Sequence, residues 1–533
     1  MNILKQNNKL VYRKLSYCIL IFCITMLISC DKGFKDMNTN PNAFNEPVIG
    51  NVFSRSIICV AGLSDGVSPH KTSGSIIQWW STLNVMQWTG GFYMEKEEYT
   101  NRFWRAVYAD GLKEVEQLLF VTKDDPELSN HYNLLRIFRV YILHRATDLY
   151  GDVPYFEAGK AFTEGILKPK YDRQEDIYKD MFKELEEAAN NLDPSKSSFG
   201  KADYIYEGNV MQWKKWSYSL MLRLGMRVTK VDPVLAETWV KKAILGGVMT
   251  SNNDIAYLEH TEGTGSNYNQ ETYRYDGAEG TARSARGTGY GKIGETFVTL
   301  LRETLDPRSP FYITLWQGNV DASVLADYSR HVIQKGLPHG YDANTIQSLY
   351  PGWTADTYRE FSEPNLWYVG HPAAPTIFQH YSEVEYLLAE AALRGWTNGT
   401  TPKEHYEKGV RASMSVQSIY PGDFEIPISE IDDYLTRLPY KETGSFEEQM
   451  EQIHTQFYLS NFPNAHESFA NWRRVEYPRL TPTNYPGNQT GGTIPRRLPY
   501  MDTEATLNKE NYDQAIRNQG PNLWTTRVWW DKK

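Results

Sequence analysis

Two short motifs carry residue types and spacings that could support catalysis. Residues Gly62–Gly66, with the sequence Gly-Leu-Ser-Asp-Gly, match the G-x-S-x-G turn that exposes the nucleophilic serine of many hydrolases. That turn must lead directly into a helix, but Pro69 and Gly74 interrupt the residues that would form one. The motif therefore does not predict a serine esterase.

The second motif is rich in glycine. Gly289, Gly291 and Gly294 have the G-x-G-x-x-G spacing of a dinucleotide-binding loop. Such a loop follows a buried strand, whereas residues 276–288 consist largely of Gly, Ala, Arg and Ser. We interpret this segment as a binding loop, and the sequence predicts no nucleotide cofactor.

The sequence patterns for metal binding and for acid catalysis are even less specific than these two motifs. The 11 histidines include no H-E-x-x-H motif and the chain has no paired cysteines, so no zinc site, and no cofactor of any kind, is predicted. The two carboxylates of a glycosidase need only lie within roughly 5–10 Å of each other in space. With 65 acidic residues, such pairs arise freely by chance. A secreted glycoside hydrolase therefore stays open as an alternative.

The composition is that of a large globular protein with a surplus of aromatic residues. Of 533 residues, 41% are hydrophobic and 23% are charged, while 36 Tyr and 15 Trp raise the aromatic content to 14%. Tyr and Trp combine an apolar ring with a polar group, which suits half-wet contact surfaces. The formal charge of −9 argues against a nucleic-acid partner, because affinity for a polyanion depends on Lys and Arg.

The amino terminus has the pattern of a secretory signal. Residues 1–29 begin with basic residues and continue into an apolar stretch, Leu15–Ile28, which is shorter than the roughly 20 residues of a membrane-spanning helix. The stretch ends in Leu27–Cys30, which resembles the lipobox of bacterial lipoproteins. We therefore predict a signal peptide over 1–29, lipidation of Cys30, and a tether over 30–46.

Apolar residues recur at helical spacing through most of the remaining chain. In one such segment, Leu135, Phe138, Ile142, Ala146 and Leu149 form a single stripe. The predicted helices cover about 102–121, 131–150, 173–192, 207–229, 233–245, 382–395, 402–416 and 446–461. They pair into hairpins of roughly 35 residues, a period typical of tetratricopeptide repeats.

The predicted fold class is accordingly all-α, a tetratricopeptide-like scaffold of helical hairpins with large loop insertions and a few short strands. A single domain is expected over 47–533, with its helices in 47–250 and 377–475. The insertion 251–376 and the carboxy-terminal segment 476–533 are irregular and rich in Gly, Pro, Asn, Thr and Tyr. Long irregular insertions on a packed scaffold usually serve binding, so we place function in these loops.

Several segments, in order, give the chain a specific resemblance. They are Asp148–Tyr155, Asp203–Gly208, Trp213–Leu224, Glu383–Ala392, Glu467–Arg474, Ile494–Tyr500 and Val528–Asp531. Together with the lipobox, and spanning about residues 30 to 533, they resemble the SusD/RagB family of nutrient-binding outer-membrane lipoproteins.

The resemblance implies both a fold and a role. The fold would be a helical, tetratricopeptide-based scaffold decorated by ligand-binding loops. The role would be to capture an oligosaccharide at the cell exterior, without chemistry, and to deliver it to a SusC-like TonB-dependent transporter in the outer membrane. The protein would meet the membrane only through its lipid anchor. Relatives of this family also take peptides, so binding of a protein segment is a further alternative.

Four arginines in the shared motifs are expected to be structural. Arg473, Arg474, Arg496 and Arg497 lie in a Pro-rich neighbourhood. We predict that they hold carbonyl or carboxylate groups where the carboxy-terminal segment folds back on the helices.

Recognition of a sugar needs an exposed aromatic face with a few polar side chains beside it. Tryptophans on helix stripes or in the shared motifs are therefore assigned to the core, namely Trp104, Trp213, Trp216, Trp239, Trp396, Trp472, Trp529 and Trp530. Two clusters remain as candidate ligand contacts. The first contains Trp79, Trp80 and Trp88, and the second contains Trp353, Tyr358, Arg359, Asn365, Trp367 and Tyr368.

Overall fold

The chain folds mainly into α-helices, as the sequence predicts. The computed structural model describes residues 48–63, 69–85, 89–261, 291–315, 331–365 and 367–533. Its α-helices are α1 (Ile49–Ile58), α2 (Glu97–Arg105), α3 (Leu112–Thr122), α4 (Ser129–Tyr150), α5 (Ala161–Glu164), α6 (Gln174–Asn190), α7 (Val210–Arg227), α8 (Pro233–Gly246), α9 (Glu295–Glu303), α10 (Ser309–Tyr312), α11 (Ala355–Arg359), α12 (Tyr381–Leu393), α13 (Pro402–Ser413), α14 (Ile428–Arg437), α15 (Phe446–Ser460), α16 (Ala465–Val475), α17 (Glu504–Leu507) and α18 (Lys509–Gln519).

Some predicted features fall outside those residues. The signal and tether over 1–46, including Cys30, are among them, as are Ser64 of the hydrolase-like motif and Trp88. Residues Val52–Lys533 form one compact unit, and of the unit Met1–Asn51 only residues 48–51 are described.

The described strands are short, and each pairs with one other strand in antiparallel fashion. They are β1 (Trp80–Ser81), β2 (Val153–Pro154), β3 (Tyr171–Asp172), β4 (Ala256–Leu258), β5 (Lys292–Ile293), β6 (Ile313–Thr314), β7 (Glu363–Pro364) and β8 (Thr376–Gln379). The pairs are β1 with β5, β2 with β3, β4 with β8, and β6 with β7. The pair β1–β5 therefore joins the loop insertion to the chain before α2, and the pair β4–β8 holds together the two ends of the insertion.

Sequential helices pack against each other as the periodicity predicts. Such pairs are α3 with α4, α7 with α8, α12 with α13, and α15 with α16. The apolar stripe of α4, from Leu135 to Leu149, is fully buried, because four neighbouring helices cover that helix. The predicted ends of these helices differ from the observed ends by a few residues.

Two local predictions differ from the structure. The helix expected over 102–121 is present, but a π-helical turn at Ala106–Gly111 lies between α2 and α3. The spacing of Ser382 and Glu385 predicts a capping box, but α12 begins at Tyr381, so both residues lie inside the helix. Glu385 instead accepts a hydrogen bond from the Tyr381 hydroxyl at 2.6 Å.

The prediction that the arginines anchor the carboxy-terminal segment is confirmed for Arg473, Arg496 and Arg497. Arg473 donates to the carbonyl oxygens of Arg496, at 2.8 Å, and of Asp148, at 2.6 Å. The Arg496 Nε lies 2.7 Å from an oxygen of Asp531, and Arg497 donates to the carbonyl of Leu498 at 3.0 Å. Because these groups are buried, they fix the path of the segment across α4 and α16.

The fourth arginine belongs to a buried charge cluster between helices. Arg474 of α16 donates two hydrogen bonds to Glu390 of α12, at 2.8 and 2.7 Å. His454 of α15 lies 2.8 Å from the same carboxylate, and Arg394 pairs with it at 2.8 Å. Burial alone would raise the pKa of Glu390, but Arg474 and Arg394 hold that pKa well below its ordinary value. Glu390 is therefore an ionised joint between three helices.

Replacement of Glu390 tests this joint. In Glu390→Gln the guanidinium of Arg474 stays buried without a counter-charge, so we expect the free energy of unfolding to fall by about 3–5 kcal/mol. Urea unfolding followed by circular dichroism at neutral pH measures the change. The matched control is Glu237→Gln, which removes a surface pair with Lys241 and should change stability by less than about 0.5 kcal/mol. Equal effects in the two variants would contradict the role of Glu390.

Candidate functional site

Trp79 and Trp80 of the first predicted cluster are part of the core. The rings of Trp79 and Trp80 are 0% and 1% exposed. Trp79 lies 5.4 Å from Tyr458 and from Phe462, measured between ring centroids, and Trp80 stacks on Phe462 at 5.6 Å. The expectation that these two rings face a ligand is therefore wrong, because aromatic residues of α15 and of the loop that follows it cover them.

Two residues of the second cluster are also buried, which corrects their assignment as ligand contacts. Tyr358 is 2% exposed, and Lys292 of β5 lies 4.8 Å from its ring centroid. The side chain of Asn365 is fully buried and donates to the carbonyl of Pro310 at 2.7 Å. Its oxygen accepts the Trp367 N–H at 3.0 Å, so the amide shapes the loop.

Three of the remaining members of the second cluster, Trp353, Trp367 and Tyr368, are half-buried. Trp353 is half-buried and packs on a core formed by Leu83, Leu337, Ile346, Tyr358 and Phe361. Tyr341 and Tyr350 lie on the same core and are likewise half-buried. We call Tyr341, Tyr350 and Trp353 the aromatic surface. Leu83, which lies close in sequence to the first cluster, is part of the core beneath Trp353. Nothing in the sequence indicated that these two regions meet.

Polar groups border the aromatic surface. Asp342 accepts hydrogen bonds from the Thr345 N–H at 2.7 Å and from the Tyr485 hydroxyl at 2.8 Å. Burial opposes its ionisation, but these hydrogen bonds hold the pKa of Asp342 below its ordinary value. Asn84 is half-buried where the chain leaves Leu83. A charged acceptor and an amide therefore lie close to flat aromatic faces, an arrangement suited to a hydroxylated, partly apolar ligand.

Trp367 and Tyr368 form a separate group. Tyr368 is half-buried and stacks on Phe311 at 5.7 Å, with Phe424 at 5.1 Å. Trp367 is half-buried next to it. Among the described residues, no ring contact joins this group to Trp353. Arg359 ends α11, and its side chain lies outside the described parts of the structure.

Sequence reasoning missed Tyr341, Tyr350, Asp342 and Tyr485. Tyr350 could have been found, because it precedes Trp353 by one helical turn in a segment rich in Tyr. The contact between Asp342 and Tyr485 joins residues 143 positions apart, and nothing local in either segment indicates it.

A cluster of titratable side chains with the spacing of possible metal ligands lies inside the helical scaffold. His144, Asp148 and Glu467 place potential ligand atoms within 4.8 Å of one another. However, Arg227 lies 2.5 Å from a Glu467 oxygen, and Arg223 lies 3.3 Å from His144 Nε2. Two guanidinium groups already balance these carboxylates and would repel a metal cation, so the group is better explained as a link between helices.

Comparisons with known proteins identify the family. Residues 41–501 match the SusD-like family, described as "Starch-binding associating with outer membrane", and the chain belongs to that family. A solved structure described as a chitin-binding protein is similar, with 30% sequence identity, a TM-score of 0.77, and coverage of 91% of this chain and 100% of its own. A SusD-like protein from Bacteroidetes AC2a has 28% identity and a TM-score of 0.79, with coverage of 91% and 100%.

A chitin-binding SusD homologue from Flavobacterium johnsoniae shares the fold, with 21% identity, a TM-score of 0.72, and coverage of 91% of this chain and 99% of its own. No curated protein matches the chain. Among the described helices, none is both long enough and apolar enough to cross a lipid bilayer.

One acidic side chain lies where the chain entering α2 meets the segment that carries Tyr485. The backbone N–H of Glu95 donates to the Gln489 side chain at 2.6 Å. Burial, followed by the nearby charges of Asp502 and Glu97, raises the pKa of Glu95 from 4.5 to about 7. Glu95 therefore stays protonated in the fold at pH values where it would ionise in the unfolded chain.

The sign of the resulting pH dependence follows by linkage. Below about pH 4.5 the group is protonated in both states, and its penalty on stability grows as the pH rises from 4.5 to about 7. Glu95→Gln, which mimics the protonated form, is expected to raise the melting temperature at pH 8 and to leave it unchanged at pH 4.5. Calorimetry at both pH values, with the exposed Glu425→Gln as control, checks this. A variant that is less stable at pH 8 would contradict the assignment.

Proposed function

We propose that this protein is a glycan-binding lipoprotein of the outer membrane. It captures an oligosaccharide at the cell exterior and passes it to a SusC-like TonB-dependent transporter. Membership of a family described as starch-binding supports the glycan, and so does a similar structure described as chitin-binding. The lipobox-like Leu27–Cys30 supports the anchor. The protein binds its ligand without converting it and needs no cofactor.

The aromatic surface is the observation that carries the proposal. A pyranose presents an apolar C–H face, which stacks on a flat ring, and hydroxyls around its edge. Trp353 and Tyr350 lie 5.7 Å apart between centroids and both pack against Phe361, while Lys335 lies 4.7 Å from the Tyr350 centroid, so the orientation of the two half-buried rings is fixed before a ligand arrives. Asp342 is an ionised acceptor for hydroxyls next to these rings.

Removal of the Trp353 ring tests the site. In Trp353→Ala the stacked sugar loses its largest apolar contact, so we expect affinity for the bound oligosaccharide to fall roughly tenfold or more. Isothermal titration of the mature domain with starch and chitin oligosaccharides measures it. The matched control is Trp396→Ala, which removes another half-buried ring, one that lies against Arg394 beyond the end of α12.

Four outcomes would overturn this assignment. Equal affinity in Trp353→Ala and the unmodified protein would exclude the aromatic surface, and a loss confined to Trp367→Ala would move the site to the neighbouring group. New reducing ends in the titrated glycan would favour a glycoside hydrolase. Binding of peptides in preference to every glycan would favour the peptide alternative.

The lipid anchor has its own test. Cys30→Ser removes the thiol that a diacylglycerol would modify, so the protein is expected to leave the membrane fraction and to lose the added mass of the lipid. Cell fractionation and intact-mass measurement of the native protein check both results, with the buried Cys59→Ser as the control. Membrane retention of Cys30→Ser would contradict lipidation at this residue.

A further inference from the structure

A second cavity lies on the scaffold, lined by none of the residues of the aromatic surface. Its volume is about 440 Å³. Its walls come from the start of α6, the end of α18 and the last residues of the chain, Val528–Lys533. The turn at Gly151, whose φ of +89° favours glycine, leaves room at this corner for Gln519, which donates to the Tyr150 carbonyl at 2.8 Å. This corner of the cavity is therefore held in place by specific contacts within the fold.

The acidic side chains that line this cavity are already engaged. Asp531 is paired with Arg496, at 2.7 Å, and with Arg527, at 2.6 Å. Glu175 is bonded to Lys179 at 2.7 Å, and Asp152 accepts the backbone N–H of Gln174 at 2.9 Å. The charges of Asp531 and Glu175 are therefore balanced by cations of the protein, and the carboxylate of Asp152 is held by a backbone N–H.

Several basic side chains of the lining are not engaged in this way. Arg173 has a side chain that is 64% exposed, and its nearest paired oxygen, on Glu175, is 3.7 Å away. Lys532 and Lys533 are exposed and form no ion pair with another described residue. With Arg527 included, the lining has four basic and three acidic side chains, so the cavity carries a small surplus of positive charge.

One aromatic ring of the lining is open. The sequence assigned Trp529 to the core, but the structure leaves it half-buried in the cavity wall, with Tyr178 5.9 Å away on one side. Its neighbour Trp530 is fully buried and donates to Asp148 at 2.9 Å, which fixes the backbone under Trp529. The amide side chains of Asn518 and Gln519 lie in the same lining.

We propose that this cavity is a second saccharide site that takes a sugar residue bearing a carboxylate. The ring of Trp529 stacks on the apolar face of the sugar, Arg173 and Lys532 bind the carboxylate, and the exposed amide of Asn518 reaches a hydroxyl. A saccharide is favoured over an acidic peptide because an open indole ring and side-chain amides accompany the cations. The inference does not depend on the aromatic surface, which carries no comparable surplus of basic side chains.

Titration with trigalacturonic acid tests the site in the mature domain. We expect binding that weakens at high salt, and no binding at this cavity of a neutral galactose trisaccharide. Arg173→Gln and Lys532→Gln, both at exposed side chains, are each expected to weaken trigalacturonate binding roughly tenfold. The control Lys241→Gln, an exposed lysine of α8, should leave the affinity unchanged. Trp353→Ala should also leave it unchanged.

The possible contrary results separate the two sites. Absence of trigalacturonate binding, or binding that Arg173→Gln and Lys532→Gln do not weaken, would overturn this inference and leave the aromatic surface untouched. Equal affinity for tetraglutamate and trigalacturonate would overturn the commitment to a saccharide. Loss of trigalacturonate binding in Trp353→Ala would place the acidic sugar at the aromatic surface and overturn the second site.

Discussion

A buried pair of charges, Arg223 on α7 and Glu383 on α12, joins parts of the chain 160 residues apart, with hydrogen bonds of 2.7 and 2.9 Å. Both side chains are almost completely shielded from water, so neither can lose its partner without leaving a charge in the core. Arg227, one turn later, reaches Glu467 of α16 and approaches Asp148 of α4. Four helices of the scaffold are thus held in one relative arrangement by directional contacts. Apolar packing alone would allow them to slide.

The irregular carboxy-terminal segment depends on the same arrangement. Asp148 also receives the indole N–H of Trp530, while its backbone carbonyl receives Arg473. The carboxyl end of α4 therefore positions Trp530 and, through it, the neighbouring residues that line the second cavity. The loop insertion is secured differently, by two-residue strand pairs and by the core under Trp353. Loops with few regular hydrogen bonds become precise surfaces here because their buried sides are anchored at many points.

The sequence was informative wherever the physical cause is local. The stripe in α4 and the helix stops come from residues a few positions apart, so their periodicity predicts them. Whether a particular ring is buried depends instead on residues that are distant in sequence. Trp79 and Trp80 are enclosed by Phe462, nearly 400 positions away, whereas Trp353 keeps an open face. The local sequence separates these cases only in part: Ile76, Ile77 and Leu83 surround the first two rings, whereas Pro351 and Gly352 precede Trp353. Trp529 is the opposite case. Its place in a shared motif suggested that its ring would be buried, but only the neighbouring Trp530 is buried.

The uneven shielding of the tryptophans has a spectroscopic consequence. Eight of the described indoles are buried, namely Trp79, Trp80, Trp104, Trp213, Trp216, Trp472, Trp524 and Trp530. Because these rings are shielded from solvent, we expect their emission to respond little to a ligand or quencher at the surface. Among the described indoles, a soluble quencher reaches mainly the half-open rings, Trp353 and Trp529 among them. Differential quenching therefore distinguishes a ligand that stacks on these rings from a ligand that is loosely associated, even where the total fluorescence hardly changes.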